Sequence, residues 1–179
     1  MLTSFLPLIN SQTRLVILGS FPGVKSLRAQ QYYGHPQNHF WKILQALWPD
    51  SPLTMSMNSY EIRSEFLLAK HIGLWDVYAA CEREGSLDSN IRQSVLNDFA
   101  RLRLWCPELQ AIAHNGGESF KQSKYVKAAL LGGKAALDEV NNVGVQFYGL
   151  PSTSPANASW SFERKLHAWR EIFEKHGLI

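Results

Sequence analysis

Apolar positions along this chain alternate between two periods, and the alternation predicts the fold. Residues 15–18, Leu-Val-Ile-Leu, form an apolar run too short for a helix and carrying β-branched side chains, which predicts a buried strand. From 38 to 48 the spacing changes: Phe40, Trp41, Ile43, Leu44, Leu47 and Trp48 recur at helical intervals, and Pro49 stops the run. Asn38 stands at the N-cap position of that helix. A second helix is expected through residue 70, with Asn58 and Glu61 spaced as a capping box. Residues 72–80, containing Leu74, Trp75, Val77 and Tyr78, predict a second buried strand with Asp76 towards its carboxyl end. Val95, Leu96, Phe99, Leu102 and Leu104 supply the apolar stripe of a third helix that Pro107 closes. Residues 109–113 predict a third strand, 118–131 a helix, 132–142 a polar linker and 143–148 a fourth strand. The closing helix, 161–176, aligns Phe162, Leu166, Trp169, Ile172 and Phe173 and ends at Gly177.

Four short strands alternating with helices imply crossover connections and a parallel sheet covered on both faces. The expected architecture is α/β, a three-layer α/β/α sandwich around a four-stranded, mostly parallel sheet, in one domain over residues 1–179. The polar loops after Leu18, Asp76, Ala113 and Tyr148 then converge on the carboxyl edge of that sheet, where open α/β sheets bind ligands. Polar and aromatic groups concentrate in one further stretch: Gln30, Gln31, Tyr32, Tyr33, His35, Gln37, Asn38 and His39. A packed core has little use for so many hydrogen-bonding groups in a row.

Four segments, in order along nearly the whole chain, carry a resemblance. They are Gly19-Ser20-Phe21-Pro22-Gly23, Tyr33-Gly34-His35-Pro36-Gln37-Asn38, Gly73-Leu74-Trp75-Asp76-Val77 and Leu150-Pro151-Ser152-Thr153-Ser154-Pro155-Ala156-Asn157. Together the set resembles the uracil-DNA glycosylase superfamily, most closely its deoxyinosine (hypoxanthine) DNA glycosylase branch and more distantly its mismatch-specific uracil and thymine branch. The resemblance implies the same three-layer fold. It also implies a monofunctional repair enzyme that flips a deaminated base, hypoxanthine foremost, out of double-stranded DNA and hydrolyses its N-glycosidic bond.

Two positions depart from the pattern. Where the superfamily usually places an Asp or Asn that handles the attacking water, this chain has Phe21, which can neither accept a proton nor orient water. Where members place a His or Asn that stabilises the departing base, it has Leu150. Asn38 is the best substitute as catalytic residue, since an amide can accept from water and donate to substrate; its plainer role is a helix cap. The base-binding candidates are Gly19, Ser20 and Phe21, through backbone N–H groups; Tyr33, by stacking; Asp76, as acceptor from a base N–H; and Asn115. Each also has a structural reading: a tight turn at 19–21, core packing for one of Tyr32 and Tyr33, loop organisation by Asp76, and a strand-to-helix turn at Asn115. His35 is expected to fix its loop. The resemblance gives DNA contacts to Ser152, Thr153, Ser154, Pro155 and Asn157, with hydroxyls on phosphates and Pro155 with Ala156 in the gap left by an extruded base.

Composition narrows this picture only slightly. The 179 residues are 45% hydrophobic, enough for one sizeable core. An excess of 18 basic over 15 acidic residues, net +3, permits binding to a polyanion without requiring it. Cys81 and Cys106 lack metal-ligand spacing and are expected as free thiols. No metal or organic cofactor is expected. Neither a signal peptide nor a run of about twenty apolar residues stands out, so an intracellular monomer without membrane contact is expected. The competing readings are a uracil, xanthine or mismatch-directed glycosylase and a catalytically silent nucleic-acid-binding module. A serine hydrolase lacks its Gly-x-Ser-x-Gly elbow, and a zinc deaminase its Pro-Cys-x-x-Cys element.

Overall fold

The computed structural model describes residues 1–132 and 144–179. In chain order the elements are β1 (Leu2–Thr3), β2 (Leu15–Gly19), α1 (Val24–Ala29), α2 (Phe40–Leu47), α3 (Tyr60–Ala69), β3 (Ile72–Asp76) and β4 (Tyr78–Glu82). A 3₁₀ turn (Asp88–Asn90) precedes β5 (Arg92–Leu96), α4 (Leu102–Trp105), β6 (Ala111–Asn115), α5 (Gly117–Lys121), α6 (Ser123–Leu130), β7 (Gln146–Leu150) and α7 (Phe162–Lys175). The main sheet has four strands in the order β3-β2-β6-β7, and all three pairings are parallel.

Period-two geometry explains why β2 is apolar at every position. Leu15 and Ile17 pack with Phe40, Trp41, Leu67, Trp169 and Phe173 on one face, against α2, α3 and α7. Val16 and Leu18 turn to the other face, where Phe21, Trp75, Phe99, Leu102 and Val126 cover them. The three-layer α/β/α arrangement is therefore present as expected. Cys81 and Cys106 are both free and buried in the second layer.

Several elements differ from the sequence reading. The strand expected over 72–80 is two strands, handed from one sheet to another at Val77: β3 belongs to the main sheet and β4 to a second, antiparallel sheet ordered β1-β4-β5. The helix expected from Val95 to Leu104 is instead β5, followed by a turn and the single-turn α4. Its apolar residues mimic helical spacing, but pairing with β4 decides the conformation of 92–96, a tertiary override of a local pattern. The helix at 118–131 is broken at Gln122 into α5 and α6. The last strand is Gln146–Leu150 rather than 143–148; the linker expected over 132–142 falls, beyond its first residue, outside the described residues.

The caps move by one residue. Ser59, not Asn58, caps α3, accepting from the Ile62 N–H at 3.3 Å. His39 occupies the position before α2, yet the Asn38 side chain still does capping work, accepting from the Phe40 N–H at 2.9 Å.

One polar group lies wholly inside the sheet. His114 on β6 is fully buried, and its Nδ1 is 2.8 Å from Ser119 Oγ. That hydroxyl donates to the Leu18 carbonyl at 2.8 Å, so it must accept from His114 Nδ1–H, which leaves Nε2 unprotonated and buried without a partner among the described residues. Burial pulls the imidazole pKa down to about 4. The folded state thus holds this histidine neutral while the unfolded chain protonates it near 6.5. Its stabilising contribution is complete above pH 6.5 and is lost as pH falls from there to about 4, up to about 3 kcal/mol in all. Urea unfolding of wild type and His114→Gln at pH 7.5, 6, 5 and 4.5 should show the stability gap between them narrowing steadily towards acid; a constant gap contradicts the buried neutral imidazole.

Candidate active site

Every loop leaving the carboxyl edge of the main sheet helps to enclose one cavity of about 580 Å³. Its lining includes Gly19, Ser20 and Phe21 after β2, Tyr33 and Asn38 before α2, and Asp76 and Asn115 at the ends of β3 and β6. The 150–157 segment after β7 closes a further side with Ser152, Thr153, Ser154, Pro155 and Asn157. All the candidate residues named from sequence therefore meet in one place, as the edge-of-sheet argument requires.

Hydrogen bonds to Thr153 hold that last loop in position. Asn115 Nδ2 donates to Thr153 Oγ1 at 2.9 Å, and the Thr153 N–H donates back to Asn115 Oδ1 at 2.9 Å. The Thr153 carbonyl accepts from the His39 N–H at 2.9 Å, which ties the loop to the start of α2. From α7, Trp169 Nε1 donates to the Pro151 carbonyl at 3.1 Å. Gly116 completes the junction: it sits at φ +100°, and a Cβ there would come within 2.9 Å of Ser152 Cβ. Asn115 is thus more than the strand-to-helix turn of its plainer reading, for its amide fastens two cavity walls together.

The 19–23 turn is fixed from two directions. Its carbonyls at Gly19 and Ser20 accept from the Val77 and Tyr78 N–H groups at 2.9 and 3.1 Å. From the β4–β5 hairpin, Arg83 donates to the Phe21 and Pro22 carbonyls and Ser86 Oγ accepts from the Val24 N–H at 3.0 Å. Asp88 Oδ1 accepts from Ser20 Oγ at 2.6 Å. Phe21, where the resemblance implies a polar group, is 6% exposed and packs in the second core layer beneath the Arg83 guanidinium.

Tyr32 and Tyr33 divide the two roles open to them. Tyr32 is buried and donates through its hydroxyl to the Leu6 carbonyl at 3.0 Å, a core residue. Tyr33 lines the cavity at a left-handed φ of 54°, and its ring stacks on Phe40 with centroids 4.0 Å apart. Its hydroxyl is buried and makes no hydrogen bond of normal geometry among the described residues; burial and the Asp76 carboxyl raise its pKa, opposed by the neighbouring Asn115 side chain. His35 fixes its loop as expected, with Nδ1 accepting from the Gln37 N–H at 3.1 Å.

Asp76 is the most unusual group in the cavity. It is 3% exposed, and the Ser4 hydroxyl donates to its Oδ2 at 2.8 Å. Oδ1 lies so close to Gly19 that a Cβ there would collide with it. Burial pushes the Asp76 pKa up to about 7.

Sequence reasoning missed the 86–89 wall of the cavity, Ser86, Leu87, Asp88 and Ser89, along with Lys25, Ser26 and Trp160. The only local signal is a polar stretch between β4 and β5 that contains Gly85, Ser86 and Asp88. What makes it a wall is the Ser20–Asp88 bond across 68 residues. Among the described residues no group of three or more His, Cys, Asp or Glu side chains is placed to hold a metal ion, and no helix is long and apolar enough to cross a membrane.

Comparison with known proteins places this cavity in a family. Residues 6–173 match the uracil DNA glycosylase superfamily. The chain belongs to that superfamily. Two curated relatives, both named hypoxanthine DNA glycosylase, are 34% identical (Methanosarcina barkeri) and 36% identical (Methanosarcina acetivorans) to it. The first comparison covers 96% of this chain and 97% of the relative, the second 94% and 96%. The solution NMR structure of a Methanosarcina acetivorans protein, provisionally assigned as a uracil DNA glycosylase, superposes with a TM-score of 0.77 at 31% identity over 98% of both chains. The superfamily's α/β fold and the observed sheet agree.

The Asn115–Thr153 pair makes a direct prediction. Thr153→Ser keeps the hydroxyl and should hold stability within about 1 kcal/mol of wild type, whereas Thr153→Val leaves the buried Asn115 amide short of an acceptor and should cost about 1–3 kcal/mol. Urea unfolding midpoints compared at equal slope measure both; equal losses in the two variants rule out the clamp.

Proposed function

We propose that this chain is a monofunctional DNA glycosylase that removes hypoxanthine from deoxyinosine in double-stranded DNA by hydrolysis, leaving an abasic site. The observation that carries the reading is the convergence of all the candidate residues on one cavity, in a chain about 35% identical over nearly its full length to proteins named hypoxanthine DNA glycosylase. A cavity of about 580 Å³ accommodates an extruded nucleotide, the form in which an enzyme can reach a base otherwise stacked in the duplex.

The chemistry asks for little covalent help. As the N-glycosidic bond breaks, positive charge develops on the sugar and electrons move onto the base, so oriented water and preorganised polar groups supply the catalysis. Asn38 is assigned the water. Its Oδ1 is engaged by the Phe40 N–H, which fixes the side-chain rotamer and leaves Nδ2 and the second lone pair of Oδ1 for other partners. Tyr33 is assigned the base: Phe40 covers one face of its ring, and the residue lines the cavity. The 19–21 turn and Asn115 frame the base, and Asp76 meets its polar edge. Ser152, Thr153, Ser154, Pro155 and Asn157 are assigned to the DNA strand, with Ser152 and Ser154 on phosphates. Thr153, fully buried, contributes by holding the loop's shape.

The test is incubation with duplexes carrying a single inosine, uracil, xanthine or mismatched thymine, followed by alkaline cleavage at abasic sites. Inosine should be processed fastest. Release of uracil or thymine alone would move the chain to another branch, and binding without any abasic site would make it a silent module. DNA affinity should also fall as salt rises, because phosphate contacts displace counterions.

Two substitution sets check the assignments. Asn38→Ala should slow single-turnover excision about a hundredfold while retaining DNA binding, and Asn38→Asp, although it can still cap α2, should slow excision too. A normal rate in folded Asn38→Ala removes the assignment. Tyr33→Phe should keep most of the activity and Tyr33→Ala should lose much of it; equal damage from both argues against stacking.

A further inference from the structure

The reading above leaves one question of electron accounting. Heterolysis of the N9–C1′ bond leaves the electron pair on the purine, and where the resemblance implies a His or Asn aimed at that charge this chain has Leu150, which offers no donor, just as Phe21 stands at the water-handling position. Both are buried, 6% exposed each, and pack into the apolar layers. A donor must come from elsewhere in the cavity.

Three features single out Asp76. It ends β3 on the cavity wall with 3% exposure, so its carboxyl meets ligand rather than bulk water. Its two oxygens are not equivalent: Ser4 Oγ donates to Oδ2 at 2.8 Å, while Oδ1 makes no hydrogen bond with any described residue. Oδ1 also lies over Gly19, where the missing Cβ lets it and the Tyr33 hydroxyl approach the same spot; that hydroxyl is buried beside the Asn115 side chain and makes no hydrogen bond of normal geometry among the described residues. A carboxyl oxygen and a buried hydroxyl with unused capacity, facing one bare glycine in the same cavity, point to a ligand that supplies the missing bonds.

We propose that Asp76 is the general acid of the reaction, its Oδ1–H delivering a proton to a ring nitrogen of the departing purine. The inference rests on the hypoxanthine reading above. In balance, the N9–C1′ bond breaks with its electrons on the base, and the base takes the Asp76 proton and leaves neutral. Water adds its oxygen to C1′ and releases a proton to solvent, from which the Asp76 carboxylate is reprotonated. A purine suits this step because its ring nitrogens keep lone pairs that can accept.

The surroundings support a carboxyl that is protonated near neutrality. Burial raises the Asp76 pKa to about 7, opposed by the Ser4 hydrogen bond. The titratable and charged groups facing it are Asp88, which raises it further, Arg83, which lowers it, and the hydroxyls of Tyr33 and Tyr32. Asn97 Nδ2 reaches only the Asp76 backbone carbonyl, at 2.8 Å. An acid with a pKa near the working pH is the most effective proton donor.

Single-turnover excision from an inosine duplex between pH 5.5 and 8.5 tests the inference. The wild-type rate should be level below about pH 7 and fall about tenfold per unit above it. Asp76→Asn keeps a polar amide and should bind the duplex normally, yet react about a hundredfold or more slowly at pH 6 with no inflection near 7. Ser4→Ala removes the bond that holds the carboxylate down, so its inflection should move to higher pH; this variant keeps the test open if Asp76→Asn does not fold. An active wild type whose rate is flat or rising through pH 7, or an Asp76→Asn rate at pH 6 within about threefold of wild type, overturns the acid role and leaves the hypoxanthine reading intact. A wild type that releases no hypoxanthine at any pH overturns both.

Discussion

A reciprocal pair of hydrogen bonds between Asn115 and Thr153 is the constraint on which the rest of the cavity depends. The four parallel strands deliver their carboxyl ends to one edge, but strands fix only the points from which loops depart. The loop after β7, Pro151 to Ser161, is mostly proline, hydroxyl and small side chains without helix or strand, and nothing in its own sequence would hold it against the loop before α2. The amide of Asn115 donates to Thr153 and accepts from it, and the Thr153 carbonyl passes the connection on to His39. Such a chain, with its members buried, keeps both the apolar core and the polar wall in register. Gly116 follows from the same demand, because the loop can sit close to β6 only where a side chain is missing.

How much of this was legible in the sequence depended on the range of the interaction responsible. Residues 15–18 read as a doubly buried strand because every position is apolar, and the structure buries Leu15 and Ile17 on one face and Val16 and Leu18 on the other. The turn at Gly19, the cluster around Tyr33 and the segment from Leu150 to Asn157 stood out through residue types that suit loops and polar contacts. Fold and cavity membership followed from those local signals. Residues 92–96 did not, because Val95, Leu96 and Phe99 are spaced as on a helix while the deciding partner, β4, lies elsewhere in the chain. The exchange of strands at Val77 was hidden in the same way, inside an apolar run that continues through it.

The same distinction applies to the chemistry. Asn38 and Asp76 were identifiable as candidates by type and position, but their states were not. That the Asn38 oxygen is engaged by the Phe40 N–H depends on the geometry of the α2 start. That Asp76 is raised towards neutrality depends on its burial in the fold, opposed by a hydrogen bond from Ser4, 72 residues away in sequence. Asp88 and its neighbours escaped attention because a Gly-Ser loop becomes a cavity wall only when Ser20 reaches across to bond it.

The handover of the chain at Val77 has an architectural consequence. Asp76 ends a strand of one sheet and Tyr78 begins a strand of another, so the cavity lies in the fork between two separately hydrogen-bonded frameworks. The parallel framework carries Gly19, Asn115 and the clamp; the antiparallel one carries the hairpin with Ser86, Leu87 and Asp88. A hairpin at the margin of a small sheet can change length or composition while the parallel strands remain as they are. The two halves of the cavity can therefore diverge at different rates, one preserving a bond-breaking apparatus and the other reshaping the entrance through which nucleotides are admitted.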